Sequence, residues 1–233
     1  MKNIFLFITC ILFINKGFGQ QAPETTDYTH KISDDVSEKF HVLKDNKGIK
    51  EGLYQAYYNK KTAIASGMYN NDKKVGVWHF FDSKGNLLQN FDYTSKKLLY
   101  EAPELKTNSK LGYFVDKELT DTDRTTKPVK AGGRYYGYLP YALLFKLPGN
   151  LMDINRAASY AVIELLVSPG GRLADYKVHL VSGNFQKTFK MNINALSDED
   201  KEFIPATVNG EPIGCRISIT CSIDFHGRLN CIE

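Results

Sequence analysis

The chain is poor in the residues and motifs that carry chemistry. Its 233 residues hold four cysteines, one tryptophan and five histidines. There is no G-x-S-x-G elbow, no phosphate-cradling loop ending in Gly-Lys-Ser/Thr, and no G-x-G-x-x-G turn. His30, His41, His79, His179 and His226 stand at no zinc-ligand spacing to one another or to the cysteines. The expectation is therefore no catalytic residue, no metal and no cofactor, and no small-molecule substrate is evident. Charge of one sign is also lacking. The first twenty residues carry Lys2 and Lys16 and no acid, so the remainder holds 28 basic against 26 acidic residues. That balance offers no concentrated basic face for nucleic acid.

No apolar run reaches the roughly 20 residues that a membrane-crossing helix requires. Ile4–Ile14, "IFLFITCILFI", is 11 residues long, follows Lys2, and leads to the small residues Gly17 and Gly19. This is the pattern of a secretory signal over 1–20, with the cut after Gly19 or Gln20, so the mature protein is expected to be periplasmic or secreted. Cys10 falls within that run, which leaves Cys215, Cys221 and Cys231. Cys215 and Cys221, six residues apart on one extended segment, sit roughly 20 Å apart and cannot pair. Cys221 and Cys231 have two readings. They bridge if the chain turns back near Phe225–Gly227, and otherwise remain buried thiols.

Residues 21–38 are polar and without periodicity, so they read as a flexible leader. From 39 to 100 short aromatic runs alternate with turn clusters, the texture of strands joined by tight turns. A repeat underlies it. Gly52-Leu-Tyr54-Gln-Ala-Tyr57 aligns with Gly76-Val-Trp78-His-Phe80-Phe81, 24 residues on, and Gly67-Met-Tyr69 opens a similar strand between them. The stretch 50–99 resembles the MORN-repeat variants of exported bacterial proteins, in which a glycine, any residue and Tyr or Trp precede further aromatics. The resemblance implies an antiparallel repeat sheet that serves protein contact, with lipid contact claimed for some relatives. Tyr54, Tyr57, Trp78 and Phe80 are its candidate interface aromatics, although a lone tryptophan in a repeat strand is more often core.

Residues 101–131 read as a polar linker in which "GYFVDKELT" can add one strand. Its acids Asp116, Glu118, Asp121 and Asp123 lack the central glycine and closing glutamate of a calcium loop, so they read as a solvated charge run. In 132–233, Tyr160–Ser168 and Arg172–Ser182 read as strands around a "PGG" turn. Phe189, Ile193 and Leu196 lie at helical spacing. From Ile213 to Phe225 apolar residues and cysteines alternate strictly with polar ones, which predicts a long strand with one buried face. Between helix and strand, Pro205, Asn209-Gly210 and Pro212 form a connection with a turn at positive φ. Together these predict an α+β, β-rich chain: the repeat sheet, then a β-β-α-β domain.

The same segment, "FIPATVNGEPI" followed by a long strand, resembles the C-terminal domain of TonB-type proteins over 132–225. Phe203, Pro205, Ala206, Asn209, Gly210, Pro212 and Phe225 carry the likeness. In that family the domain takes up short extended peptides of outer-membrane transporters, which add as a strand. Carried over by position, the receiving strand is Ile217, Ser218, Ile219, Thr220, Cys221, Ser222 and Ile223. A retained membrane helix and a Pro-rich spacer, which energy transduction would require, are not seen, and "RLNCIE" can fold back over the same edge. The functional expectation is a non-enzymatic envelope protein that binds a protein or peptide, an outer-membrane protein among the candidates. The alternatives are a repeat-mediated scaffold whose C-terminal domain is structural, or an accessory to an envelope enzyme.

Overall fold

The computed structural model describes residues 23–104 and 110–231. The expected signal segment, with Cys10, lies outside the described residues. Seven strands follow one another as an antiparallel meander in the order of the chain. They are β1 (Thr25–Lys31), β2 (Val36–Leu43), β3 (Lys50–Tyr58), β4 (Thr62–Asn70), β5 (Lys73–Phe81), β6 (Leu87–Asp92) and β7 (Lys97–Glu101). Each strand alternates between faces, and one face gathers Phe40, Tyr54, Ile64, Trp78, Phe80 and Phe91 into a core. The repeat is visible in the backbone. Gly52 and Gly76 both take positive φ, 87° and 63°, a conformation open to glycine at little cost. Gly67 serves a different need, since a β-carbon there would stand 2.2 Å from the Trp78 indole.

The leader expected over 21–38 is instead β1 and the start of β2, paired from Thr25↔Leu43 to Lys31↔Ser37. Every residue of β1 is exposed, so the strand rests on its backbone ladder and leaves no apolar period to read. The linker expected over 101–131 also carries structure. It contributes β8 (Leu111–Val115) and β9 (Thr125–Thr126), and ends in buried Val129 and Lys130.

A segment of 3₁₀ turn and short helix, Tyr136–Tyr138 and α1 (Leu139–Leu144), wedges between the two halves. Tyr135, Tyr136 and Leu139 pack on the first sheet, whereas Tyr138, Tyr141 and Ala142 pack on the second. The second sheet runs β12-β11-β10-β15, with β8 and β16 on the far side of β15. Its members are β10 (Ser159–Val167), β11 (Leu173–Ser182), β12 (Phe185–Lys190), β15 (Cys215–Ile223) and β16 (Leu229–Asn230). A small ribbon joins β9 to β13 (Ala206–Val208) and β14 (Glu211–Ile213). Asn209 and Gly210 form the two-residue turn of that ribbon at φ 54° and 86°, as hairpins of this length require.

Two expectations for this half are corrected. The helix through Phe189, Ile193 and Leu196 is absent. Phe185–Lys190 hairpins onto β11 instead, and two 3₁₀ turns, Ile193–Ala195 and Glu199–Lys201, follow it. Phe189 from the strand end and Ile193 and Leu196 from the first 3₁₀ turn reach the same core at intervals that mimic a helix. The long strand also stops early. Cys215, Ile217, Ile219, Cys221 and Ile223 are buried as expected, but Phe225 is 77% exposed. Asp224 turns the chain there, its carboxylate accepting from the amides of His226 and Arg228 at 2.9 and 2.8 Å.

Candidate functional site

Seven consecutive residues of β15, Ile217–Ile223, were the candidate receiving strand, and their surroundings are now defined. Ile217, Ile219, Cys221 and Ile223 point into the core, while Thr220 and Ser222 are exposed and Ser218 is half-buried. On one side β15 pairs with β10 from Cys215↔Val167 to Cys221↔Ala161. On the other it pairs with β8, from Cys215↔Val115 to Ile219↔Leu111. The Thr220 amide donates to the Lys110 carbonyl at 2.9 Å. Strand amides alternate in direction, so those of Arg216 and Ser218 also face β8 and those of Ile217 and Ile219 face β10. Beyond β8, Ser222 and Ile223 pair with Asn230 and Leu229 of β16. A disulfide joins Cys221 to Cys231, and Cys215 is a buried free thiol.

The candidate edge is thus occupied in cis by two short pieces. One is β16, tied by the disulfide. The other is β8, which comes from between the two halves. Leu111 and Tyr113 of β8 pack partly buried against the second core, Phe114 stands 55% exposed, and Asp116 pairs with Arg216 at 3.1 Å. The sequence allowed one strand within "GYFVDKELT" and the structure has β8 over Leu111–Val115, but nothing there assigned it to β15.

The interface aromatics have a different fate. Tyr54, Trp78 and Phe80 are fully buried, and their interface is with the chain itself. The hydroxyls of Tyr54 and Tyr136 share a 2.7 Å hydrogen bond, and the Phe80 and Tyr136 rings stack at 5.7 Å. Only Tyr57 of the four faces away, its hydroxyl donating to Gln55 at 2.7 Å. Lys50 lies 4.3 Å from the centre of the Phe40 ring, and Lys74 lies 5.0 Å from both Trp78 and Tyr93. The cations therefore already occupy this aromatic face.

Polar groups complete the seam. Gln89, with no exposed surface, donates to the Lys130 carbonyl and accepts from the Gly132 and Gly133 amides at 2.9 and 3.1 Å. Lys130 donates to the Glu199 and Glu202 carbonyls at 2.7 and 3.3 Å, and burial lowers its pKa to about 8. Burial also works against the Glu199 carboxylate, but the Lys74 ammonium beside it wins and holds the pKa low. Sequence reasoning missed Gln89 and Lys130. Their partners lie 41 to 72 residues away, and no local pattern announces them.

Among the described residues no three His, Cys, Asp or Glu side chains come together as metal ligands, and no helix is long and apolar enough to cross a membrane. His79 bonds Asn90 at 2.8 Å on the outer face of the first sheet, and His179 bonds Thr188 at 2.9 Å. The candidate edge is a backbone ladder that β8 and β16 already occupy. Comparison with protein-family models, curated proteins and solved structures returns no match.

Proposed function

We propose that this chain is a non-enzymatic, exported cell-envelope protein that binds an extended segment of a protein partner by strand addition to β15. One observation carries the reading. β8, which is not contiguous with the β10–β12 and β13–β16 runs, lies on β15 in antiparallel register over five residue pairs. The edge therefore accepts an added strand, with the amides of Arg216, Ser218 and Thr220 turned toward it. The cost is that a partner must replace β8. Export is supported by the apolar run behind Lys2 and by the Cys221–Cys231 bridge, since oxidising compartments permit disulfides. The resemblances to MORN repeats and to the TonB C-terminal domain agree with an envelope setting, and an outer-membrane protein is the proposed partner.

A second reading has its own support. With both sides of β15 paired and the aromatic face of the repeat closed by Tyr135 and Tyr136, the second half can serve as a structural support. The repeat sheet then meets partners through its outer face, where Leu53, Met68 and Val77 are exposed. Photocrosslinking of the tagged mature protein in its native envelope separates the two. The informative variant is Ser218→Pro, because that amide faces β8, whereas proline at Ile219 would cut the ladder to β10. Thr220→Pro serves as a second variant, and circular dichroism confirms folding of each. Strand addition predicts that crosslinked partners disappear from the folded proline variants. Partners that persist assign binding to the repeat sheet.

A further inference from the structure

β8 is more than an obstruction, because it is a strand already fitted to the edge and so records what the edge selects. The inference rests on the strand-addition reading above and names the partner's chemistry. Leu111 sits opposite Ile219 and Tyr113 opposite Ile217, and both side chains pack on the second core. Between them Gly112 faces Ser218. A β-carbon on Gly112 would lie 2.5 Å from the Ser218 hydroxyl and 3.1 Å from the Phe114 ring. A branched side chain at that position would have to push both away, in the middle of a ladder that fixes the backbone. Position 114 points outward and leaves 55% of its phenylalanine in solvent, so it imposes little. Two residues further, Asp116 meets the Arg216 guanidinium at 3.1 Å.

We infer that the β15 edge recognises an extended, antiparallel segment of the form apolar–glycine–aromatic–any–apolar–acidic, the pattern of Leu111–Asp116. Leu111 and Tyr113 pack, partly buried, against the core, the glycine clears Ser218, and the acid closes on Arg216. The ladder supplies affinity, and these positions supply selectivity. In the intact chain β8 holds the edge at the effective concentration of a tethered strand, on the order of millimolar. A free segment of equal quality therefore competes poorly, and a partner must offer a longer or better-matched strand.

The probe is a fluorescent synthetic peptide of residues 110–116, with a second peptide in which valine replaces the glycine. Both are titrated by fluorescence anisotropy against the full mature chain and against the Leu111→Asn/Tyr113→Asn chain, whose own β8 is weakened. The native peptide is expected to bind the weakened chain about ten-fold more tightly than the intact chain, and the valine peptide about ten-fold less tightly than the native one. Equal binding to the two chains, or no preference for glycine, overturns the inference. If circular dichroism shows the double variant unfolded, Gly112→Ala takes its place with the same readouts and an expected gain of about three-fold. The two proposals fail separately. Peptides that discriminate, with envelope crosslinks untouched by Ser218→Pro, leave the motif standing and remove the envelope function. Crosslinks lost in Ser218→Pro, with peptides that do not discriminate, remove the motif and leave the function.

Discussion

Gly67 shows how a single missing atom can hold a sheet face together. The Trp78 indole lies where a β-carbon at position 67 would be, and that ring in turn touches Tyr54, Tyr69, Phe80 and Tyr93 at centroid distances of 5.2 to 6.1 Å. Alanine at Gly67 must displace the tryptophan or the strand, so the expected loss is roughly 3 kcal/mol, the cost of overpacking a filled core. Urea denaturation provides the value. Gly149→Ala is the control, since a β-carbon there meets nothing within 4 Å, and it should leave the midpoint unchanged. In the sequence Gly67 is legible as a repeat glycine, but its reason is not. That reason is Trp78, on the neighbouring strand.

At the scale of elements, legibility follows burial. β10, β11 and β15 announce themselves because alternate residues enter one core: Ala161, Ile163 and Leu165 in the first, for instance, and Ile217, Ile219 and Cys221 in the last. β1 and β9 are exposed throughout, so no buried face gives either strand an apolar period to read. β12 is a third case. Phe189 touches the core from a strand, and Leu196 from the end of the 3₁₀ turn that follows it, so a true contact pattern suggests the wrong element. The fold-back that "RLNCIE" allows over the β15 edge is β16, whereas β8 on the same strand is not announced, because strand order in a sheet is not written in the strand itself.

β16 has two register pairs, too few to hold an edge piece in place. The Cys221–Cys231 bridge, spanning ten residues, makes up the deficit. Opening it with Cys231→Ser restores to the unfolded chain an entropy worth about 3 kcal/mol. The expected loss of stability is of that size. Hydrogen exchange should quicken at Leu229 and Asn230 while β10 stays protected, and uniform acceleration across the sheet would contradict this division.

For the molecule as a whole, tyrosine burial sets the response to alkali. Tyr54, Tyr138, Tyr141 and Tyr176 are all within 5% of complete burial, and desolvation raises each phenol above its ordinary pKa. A group whose pKa is raised by folding contributes stability that is complete below its unfolded value, near 10, and drains away above it. Each such tyrosine costs about 1.4 kcal/mol per pH unit above 10. Four together exceed 5 kcal/mol per unit, against a typical total of roughly 5–15 kcal/mol. Lys130 acts in the opposite sense. Its pKa falls to about 8 on burial, so between about 8 and 10 the unfolded chain binds more protons and stability rises with pH. The urea midpoint should therefore climb from pH 8 toward 10 and collapse by about pH 11.5. Phenolate absorbance should rise in step with the loss of circular dichroism. Lys130→Met should abolish the climb and keep the collapse.

The seam that joins the two halves also has an optical consequence. Trp78 is the sole tryptophan of the chain, it is wholly buried, and its indole N–H donates to the Met68 carbonyl at 3.2 Å. Its fluorescence comes from one site, ringed by the tyrosines from which it collects excitation energy. Because Tyr54 touches both Trp78 and, through its hydroxyl, Tyr136 of the wedge, the emission colour and the tyrosine-to-tryptophan transfer yield report the integrity of the junction. The native protein carries a spectroscopic gauge of its own assembly, with no label attached.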